Sequence, residues 1–226
     1  MAERPLSTKA RIIEAAEQLF AEGGISATSL RHITARAGVN LAAVNYHFGS
    51  RDALIEAVYA RRLQPLNVER LRKLKELERD LGGRALTLHQ IIRAFIEPVL
   101  RISRDPVLGG PLFIRLVGQS YTEGSTRFER FFTGQYRDVL ERFAQALAAA
   151  LPALDREEIY WRLHFMIGAT AYTIADAQLL RLIAGTEHVE DVEVTLARLV
   201  PFLIAGFEAP AAVPSALGAP KKSAAS

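Results

Sequence analysis

Residues 28–48 read TSLRHITARAGVNLAAVNYHF, and this stretch decides the fold. Apolar residues recur at three- and four-residue spacing on both sides of Gly38, which predicts two helices of about two turns each. Thr28 is a good N-cap for the first, Leu30 and Ile33 supply its buried side, and Ala37-Gly38 ends it. Glycine takes the left-handed conformation after a helix without a Cβ penalty. Asn40 caps the second helix, Leu41 to Phe48, with Leu41, Val44 and Phe48 turned inward. Two short helices joined by a tight Gly-containing turn are the pattern of a helix-turn-helix, although a plain packing hairpin has the same spacing. The outer residues of the second helix separate the two readings. Ala42, Ala43, Asn45, Tyr46 and His47 are too polar for a second core face and poor as ordinary solvent decoration. Small residues let a helix backbone approach base edges in the major groove. Asn45 offers a donor and an acceptor there, alanine suits a thymine methyl, and Tyr46, His47 and Arg51 are placed to hold phosphates.

Outward from this unit the periodicity stays helical, and strand-like alternation is scarce. A helix from Thr8 to Glu22 precedes it, with Ile12, Ala16, Leu19 and Phe20 on one stripe and Gly23-Gly24 as its stop. Ser50 caps a fourth helix from Arg51 to about Leu81 despite Pro65, and Thr87 caps Leu88 to Arg104 with a kink at Pro98. Pro111 opens a helix to about Glu123. Further helices follow at Thr126 to Leu151, Asp155 to Ala184 and Val189 to Phe207. The fold class is all-α, about nine helices. Residues 1–50 form the helix-turn-helix domain, 51–208 a helical ligand-binding and dimerisation domain, and 209–226, rich in Ala, Pro, Ser and Gly, a disordered tail.

Composition narrows the chemistry. Of 226 residues, 50% are hydrophobic, enough for a sizeable core, and none is cysteine, which excludes a disulfide scaffold, a thiolate metal site and a cysteine nucleophile. No secretory signal opens the chain. The most apolar stretch, Phe165 to Gly185, contains Asp176 and Arg181 and so argues against a membrane span. These features fit a cytoplasmic protein. The five histidines show no metal-ligand spacing, and no P-loop, dinucleotide fingerprint or nucleophile elbow is present. No enzyme, cofactor or metal is implied. The net charge of +3 does not announce a nucleic-acid binder. Residues 1–63 carry eight basic side chains against six acidic ones, so one unit alone binds DNA weakly and two held about 34–36 Å apart are needed for a palindrome.

The N-terminal unit resembles the DNA-binding domain of TetR-family transcriptional regulators. The residues that carry the likeness are Leu19-Phe20, Gly23-Gly24, Thr28-Ser29, Ile33, Ala37-Gly38-Val39 and Tyr46-His47-Phe48. The resemblance implies that Thr28, Arg31, Asn40, Ala42, Ala43, Asn45, Tyr46, His47 and Arg51 face double-stranded DNA. Asn40 stands where the family often has serine, Asn45 where an aromatic is common and Arg51 where lysine is usual. The resemblance also implies a homodimer formed through the last two long helices, a palindromic operator and release by a small-molecule effector.

In the C-terminal region the helix from Asp155 to Ala184 is apolar on more than one side and reads as buried all round. It is either a central core helix or half of a two-fold four-helix interface. The walls expected for an effector pocket are Phe95, Val99, Phe113, Arg115, Val117, Tyr121, Trp161, His164, Phe165, Gly168 and Tyr172, a filled core being the alternative for any one aromatic. Arg115 and His164 fall inside apolar runs, and a buried arginine needs a partner: Glu97, Asp176 or an acidic ligand. Residues 40–50 (NLAAVNYHFGS), 115–118 (RLVG), 160–169 (YWRLHFMIGA) and 200–206 (VPFLIAG) resemble the PsrA-type branch, which implies a long-chain fatty acid or acyl-CoA as ligand. The sequence thus points to a dimeric transcriptional repressor released by an apolar or acidic ligand, with a helical lipid carrier lacking regulated DNA binding as the alternative.

Overall fold

The structure, a computed structural model, describes residues 6–82, 84–105, 110, 126–175, 177–185 and 191–211. Nine α-helices and no strand occur among them. In chain order they are α1 (Thr8–Gly23), α2 (Leu30–Ala37), α3 (Leu41–Phe48), α4 (Arg51–Asp80), α5 (Leu88–Arg104), α6 (Thr126–Ala150), α7 (Arg156–Ala175), α8 (Ala177–Ala184) and α9 (Val192–Glu208). The helix expected after Pro111 and the tail beyond residue 211 lie outside the described residues. The helix expected from Asp155 to Ala184 is described as α7 and α8, on either side of Asp176, which lies outside the described residues, and Asp191 caps α9 by accepting from the Glu193 and Val194 amides.

Short polar residues set the helix starts, as side-chain acceptors for orphan amides should. Ser7, Ser29, Asn40 and Ser50 accept from Ala10, His32, Ala43 and Ala53. Thr87 and Gln90 form a reciprocal capping box at α5. One expectation needs correcting: Ser29, not Thr28, caps α2. Thr28 is buried and its hydroxyl donates to the carbonyls of Gly24, at 2.8 Å, and Leu19, at 3.3 Å. The threonine thus closes the α1–α2 corner, which leaves the next residue to cap.

Two apolar clusters hold the chain together. One unites Ile12, Ala16 and Phe20 of α1, Ile33 of α2, Val44 of α3 and Leu54, Val58, Tyr59, Leu63 and Leu66 of α4, and reaches Val99 of α5. The first half of α4 is therefore an integral wall of the three-helix unit. The other cluster packs Leu74, Ile91, Ile92, Phe95, Phe143, Leu147, Leu163, Met166, Leu199 and Leu203 from α4, α5, α6, α7 and α9. A single helix of 30 residues, about 45 Å long, thus runs from one cluster into the other.

Candidate DNA interface and effector region

The turn between α2 and α3 is fixed by backbone geometry. Gly38 sits at φ +62°, and its amide donates to the Ala35 and Thr34 carbonyls. Arg11 of α1 donates to the carbonyls of Ala37, at 2.5 Å, and Gly38, at 3.0 Å, tying the turn to the body of the unit. The positive φ asks for glycine; a Cβ at residue 38 would also meet Arg11 Nη2 at 2.9 Å, the movable end of a long side chain. The Asn40 carboxamide then caps α3 through the Ala43 amide at 2.9 Å.

Only Val44 of α3 is fully buried. Leu41, expected on its inner side, is 45% exposed, because one turn of contact with α1 and α4 leaves room for a single deep anchor. Ala42, Asn45 and Tyr46 are exposed, Ala43 and His47 half-buried. Tyr46 reaches 85% exposure, with its ring edge-on to His47 at 5.1 Å. The outward face of α3 is therefore small at its start and aromatic and amide-bearing beyond. Arg31 of α2 is exposed beside it, with no partner among the described residues.

The nine residues expected at DNA divide accordingly. Arg31, Asn40, Ala42, Ala43, Asn45, Tyr46 and His47 lie on α2, α3 and the turn joining them. Thr28 and Arg51 meet each other inside: Arg51 Nη2 donates to the carbonyls of Thr28, at 3.2 Å, and Ile25. The guanidinium at the start of α4 is occupied by backbone oxygens that precede α2. Most other cations here are also engaged, Arg36 by Glu22 and Gln18 and Arg62 by Glu17.

Of the eleven expected pocket residues, the seven that are described do not converge. Phe95 and Val99 are buried, but in different clusters. Phe113, Arg115, Val117 and Tyr121 lie outside the described residues. Trp161, His164, Phe165, Gly168 and Tyr172 share one face of α7, and that face is exposed, with Phe165 61% and Tyr172 62% accessible. The reason is that α7 carries two stripes. Ile159, Leu163, Met166 and Thr170 take the core side, which turns the aromatic stripe outward. The reading of this helix as buried all round is thus corrected for the protomer. Phe202 of α9, 67% exposed, adds to the apolar surface among the described residues. Arg162 pins α7 to the end of α9 by donating to the Phe207 carbonyl at 2.6 Å while pairing with Glu158.

A cavity of about 260 Å³ does open between α6 and α7, lined by Thr133, Tyr136, Arg137, Leu140, Tyr160 and Ile167. It is slightly smaller than most small-molecule sites. None of these six was singled out from the sequence as a pocket wall. Glu97, considered as a partner for Arg115, is already engaged by Arg93 at 3.1 Å, Arg101 at 2.7 Å and Lys73 at 3.6 Å. No cluster of metal-ligating side chains occurs among the described residues, and no helix there is long and apolar enough to cross a membrane.

Two family models match this architecture, one at each end of it. Residues 12–58 match "Bacterial regulatory proteins, tetR family", and residues 93–206, half of the chain, match "Tetracyclin repressor-like, C-terminal domain". The chain belongs to the TetR family. That is a family of bacterial regulatory proteins. An HTH-type transcriptional repressor of Mycobacterium tuberculosis is 44% identical over 81 residues, 35% of this chain and 41% of the repressor's length. The chain thus spans about two fifths of the curated relative it matches. Among solved structures, a TetR-family regulatory protein from Rhodococcus superimposes with a TM-score of 0.64 at 16% identity, covering 88% of this chain and 96% of that one. The fatty acid degradation regulator FadR of Bacillus halodurans does so at 0.63 and 11%, covering 91% and 99%. At such identities these structures share the fold alone.

Proposed function

We propose that this TetR-family chain is a dimeric repressor that binds a palindromic operator through α3 and leaves it when an apolar, acidic ligand binds. Residues 1–50 make the DNA contact, and 51–208 serve ligand and dimer. One observation carries the reading: a Gly-turned, Asn-capped helix presents Asn45 and an 85%-exposed Tyr46 to solvent. A tyrosine so exposed contributes nothing to the core, and phosphate contact gives it a use. In this account Asn45 reads a base edge, and Arg31, Tyr46 and His47 hold the backbone. Two copies are needed because one unit offers few free cations, and the exposed stripe of α7 with Phe202 of α9 gives the second copy an apolar surface to cover.

Coupling runs through α4, which is packed into both clusters. Ligand acts by binding one placement of α4 more tightly than the other, since equal affinity for both shifts nothing. The cavity between α6 and α7 supports an apolar ligand, and a long-chain fatty acid or acyl-CoA fits that chemistry. The test is a gel shift on genomic fragments selected by the purified protein, with and without fatty acids and acyl-CoAs. Fragments carrying two half-sites that are released by an acyl compound support the reading. Affinity that no acyl compound changes removes its ligand half, and a protein that selects no fragment is the lipid carrier instead.

A further inference from the structure

Arg70 lies in the second half of α4, on the same stripe as Leu63, Leu66 and Leu74, and is 4% exposed. Its guanidinium carbon sits 3.9 Å above the Phe95 ring. Nε donates to the Phe95 carbonyl at 2.8 Å, and Nη1 faces Asn67 Oδ1 at 3.4 Å. Asn67 is itself fixed by donating to the Gln135 carbonyl at 2.9 Å. Tyr136 completes the surroundings, its ring centroid 5.8 Å away. All of these partners are neutral. No carboxylate reaches Arg70 among the described residues: Glu69 is held by Arg72, and Glu97 by Lys73, Arg93 and Arg101. Burial pushes the guanidinium below the usual arginine range, and Tyr136 opposes the shift. A guanidinium keeps its proton even so, which leaves a whole positive charge in the core with no counter-ion among the described residues. Tyr136 also lines the apolar cavity between α6 and α7, so one side chain borders both the buried cation and the empty space.

We propose that Arg70 receives the anionic head of an amphiphilic carboxylate whose tail fills this cavity. The inference rests on the ligand-controlled reading above and assigns the charge-bearing group that it lacked. A carboxylate supplies the missing counter-charge and matches the planar fork of the guanidinium. Its arrival draws on Tyr136 and Asn67 and so on α4 itself, the helix that Arg62 clamps to α1 about 12 Å further back. A neutral ligand of the same shape gains none of this.

The test is calorimetric titration of the full chain with straight-chain alkanoates from decanoate to palmitate and with the alcohol of each length. It is repeated on Arg70→Met, which keeps the reach without the charge, and on Arg70→Lys. At least one alkanoate should bind the wild type about tenfold or more tighter than its alcohol. Arg70→Met should erase that preference with the alcohol's affinity unchanged. If Arg70→Met does not fold, Arg70→Lys decides, because a point charge without the fork should weaken the acid several-fold and spare the alcohol. An alkanoate that never outbinds its alcohol, a preference that survives Arg70→Met, or an equal loss for acid and alcohol in Arg70→Lys overturns the proposal. Gel shifts separate this from the regulatory reading. Arg70-dependent alkanoate binding with no change in DNA affinity leaves the anion site and refutes the regulation. DNA release by alcohols as strong as by acids keeps the regulation and overturns the anion site.

Discussion

Arg62 of α4 holds Glu17 of α1 by two parallel contacts, Nε to Oε1 at 2.5 Å and Nη2 to Oε2 at 3.0 Å, and Arg61 adds a third at 3.5 Å. Glu17 is 2% exposed, so its charge depends on these cations. A two-point ion pair fixes orientation as well as distance. It makes α1 follow α4, whatever displaces α4 from behind. Glu17→Gln should cost about 2–3 kcal/mol, below the range for a fully buried pair because Arg62 is partly solvated. Thermal or urea unfolding measures this. A loss under about 0.5 kcal/mol, the usual surface value, would contradict the clamp.

The α2–α3 turn predicts a backbone effect. Gly38→Ala places a side chain at φ +62° and 2.9 Å from Arg11 Nη2. The expected cost is about 1–2 kcal/mol, read by denaturant melts, with DNA affinity falling as α3 loses its placement. A neutral result would mean the turn relaxes freely.

Substitutions on the outer face of α3 should do the reverse. Tyr46→Ala and Asn45→Ala remove exposed groups and should change stability by no more than about 0.5 kcal/mol. Tyr46→Ala should weaken binding on every operator, whereas Asn45→Ala should alter the preferred bases. Fragment selection with each variant distinguishes the two. An unchanged preference in Asn45→Ala removes the base-reading role.

The exposed stripe of α7 makes a prediction about assembly. Phe165→Glu puts a charge in the middle of Trp161, His164, Gly168 and Tyr172 without touching the core stripe. Sedimentation should show dimer giving way to folded monomer, with loss of tight operator binding. A wild-type monomer, or a variant dimer of unchanged affinity, contradicts the proposed interface.

Acid should loosen the Glu97 cluster, which ties Arg93 and Arg101 of α5 to Lys73 of α4. Burial pushes the Glu97 carboxyl up, but the Arg101 hydrogen bond and the charges of Lys73, Arg93 and Arg101 outweigh it and hold it below its ordinary 4.5. A carboxyl lowered by folding stabilises the native state above its unfolded value, and that contribution disappears as pH falls through the lower folded value. Glu97→Gln should therefore reduce stability by about 1 kcal/mol at neutral pH and flatten its decline below pH 4.5. An unchanged acid slope would assign that decline to other carboxylates.

The helices were legible because their punctuation is local. Ser50, Thr87 and Gly38 act within one turn, so the starts of α4 and α5 and the end of α2 fall where the sequence puts them. Thr28 misled because its hydroxyl is claimed by the Gly24 and Leu19 carbonyls, a corner that no spacing rule reveals. On α7, the sequence shows a helix apolar on more than one side, yet two apolar stripes on one helix do not say which one the protomer buries. Arg70 stands among the charged Glu69, Arg72, Lys73 and Lys75 and is not singled out from the sequence. The available signal was its register with Leu63, Leu66 and Leu74. Where the chain engages Arg51 is likewise tertiary, since the oxygens it binds precede it by more than twenty residues.

The most direct test of the central claim is the salt dependence of binding to selected duplex fragments, followed by fluorescence anisotropy. A dimer holding phosphates with two copies of Arg31 and nearby cations should bind in the nanomolar range. The logarithm of its affinity should fall with the logarithm of salt at a slope of about −4 or steeper, flattened when Arg31→Ala removes two charges. Affinity that is absent, or that salt leaves unchanged, would contradict the account.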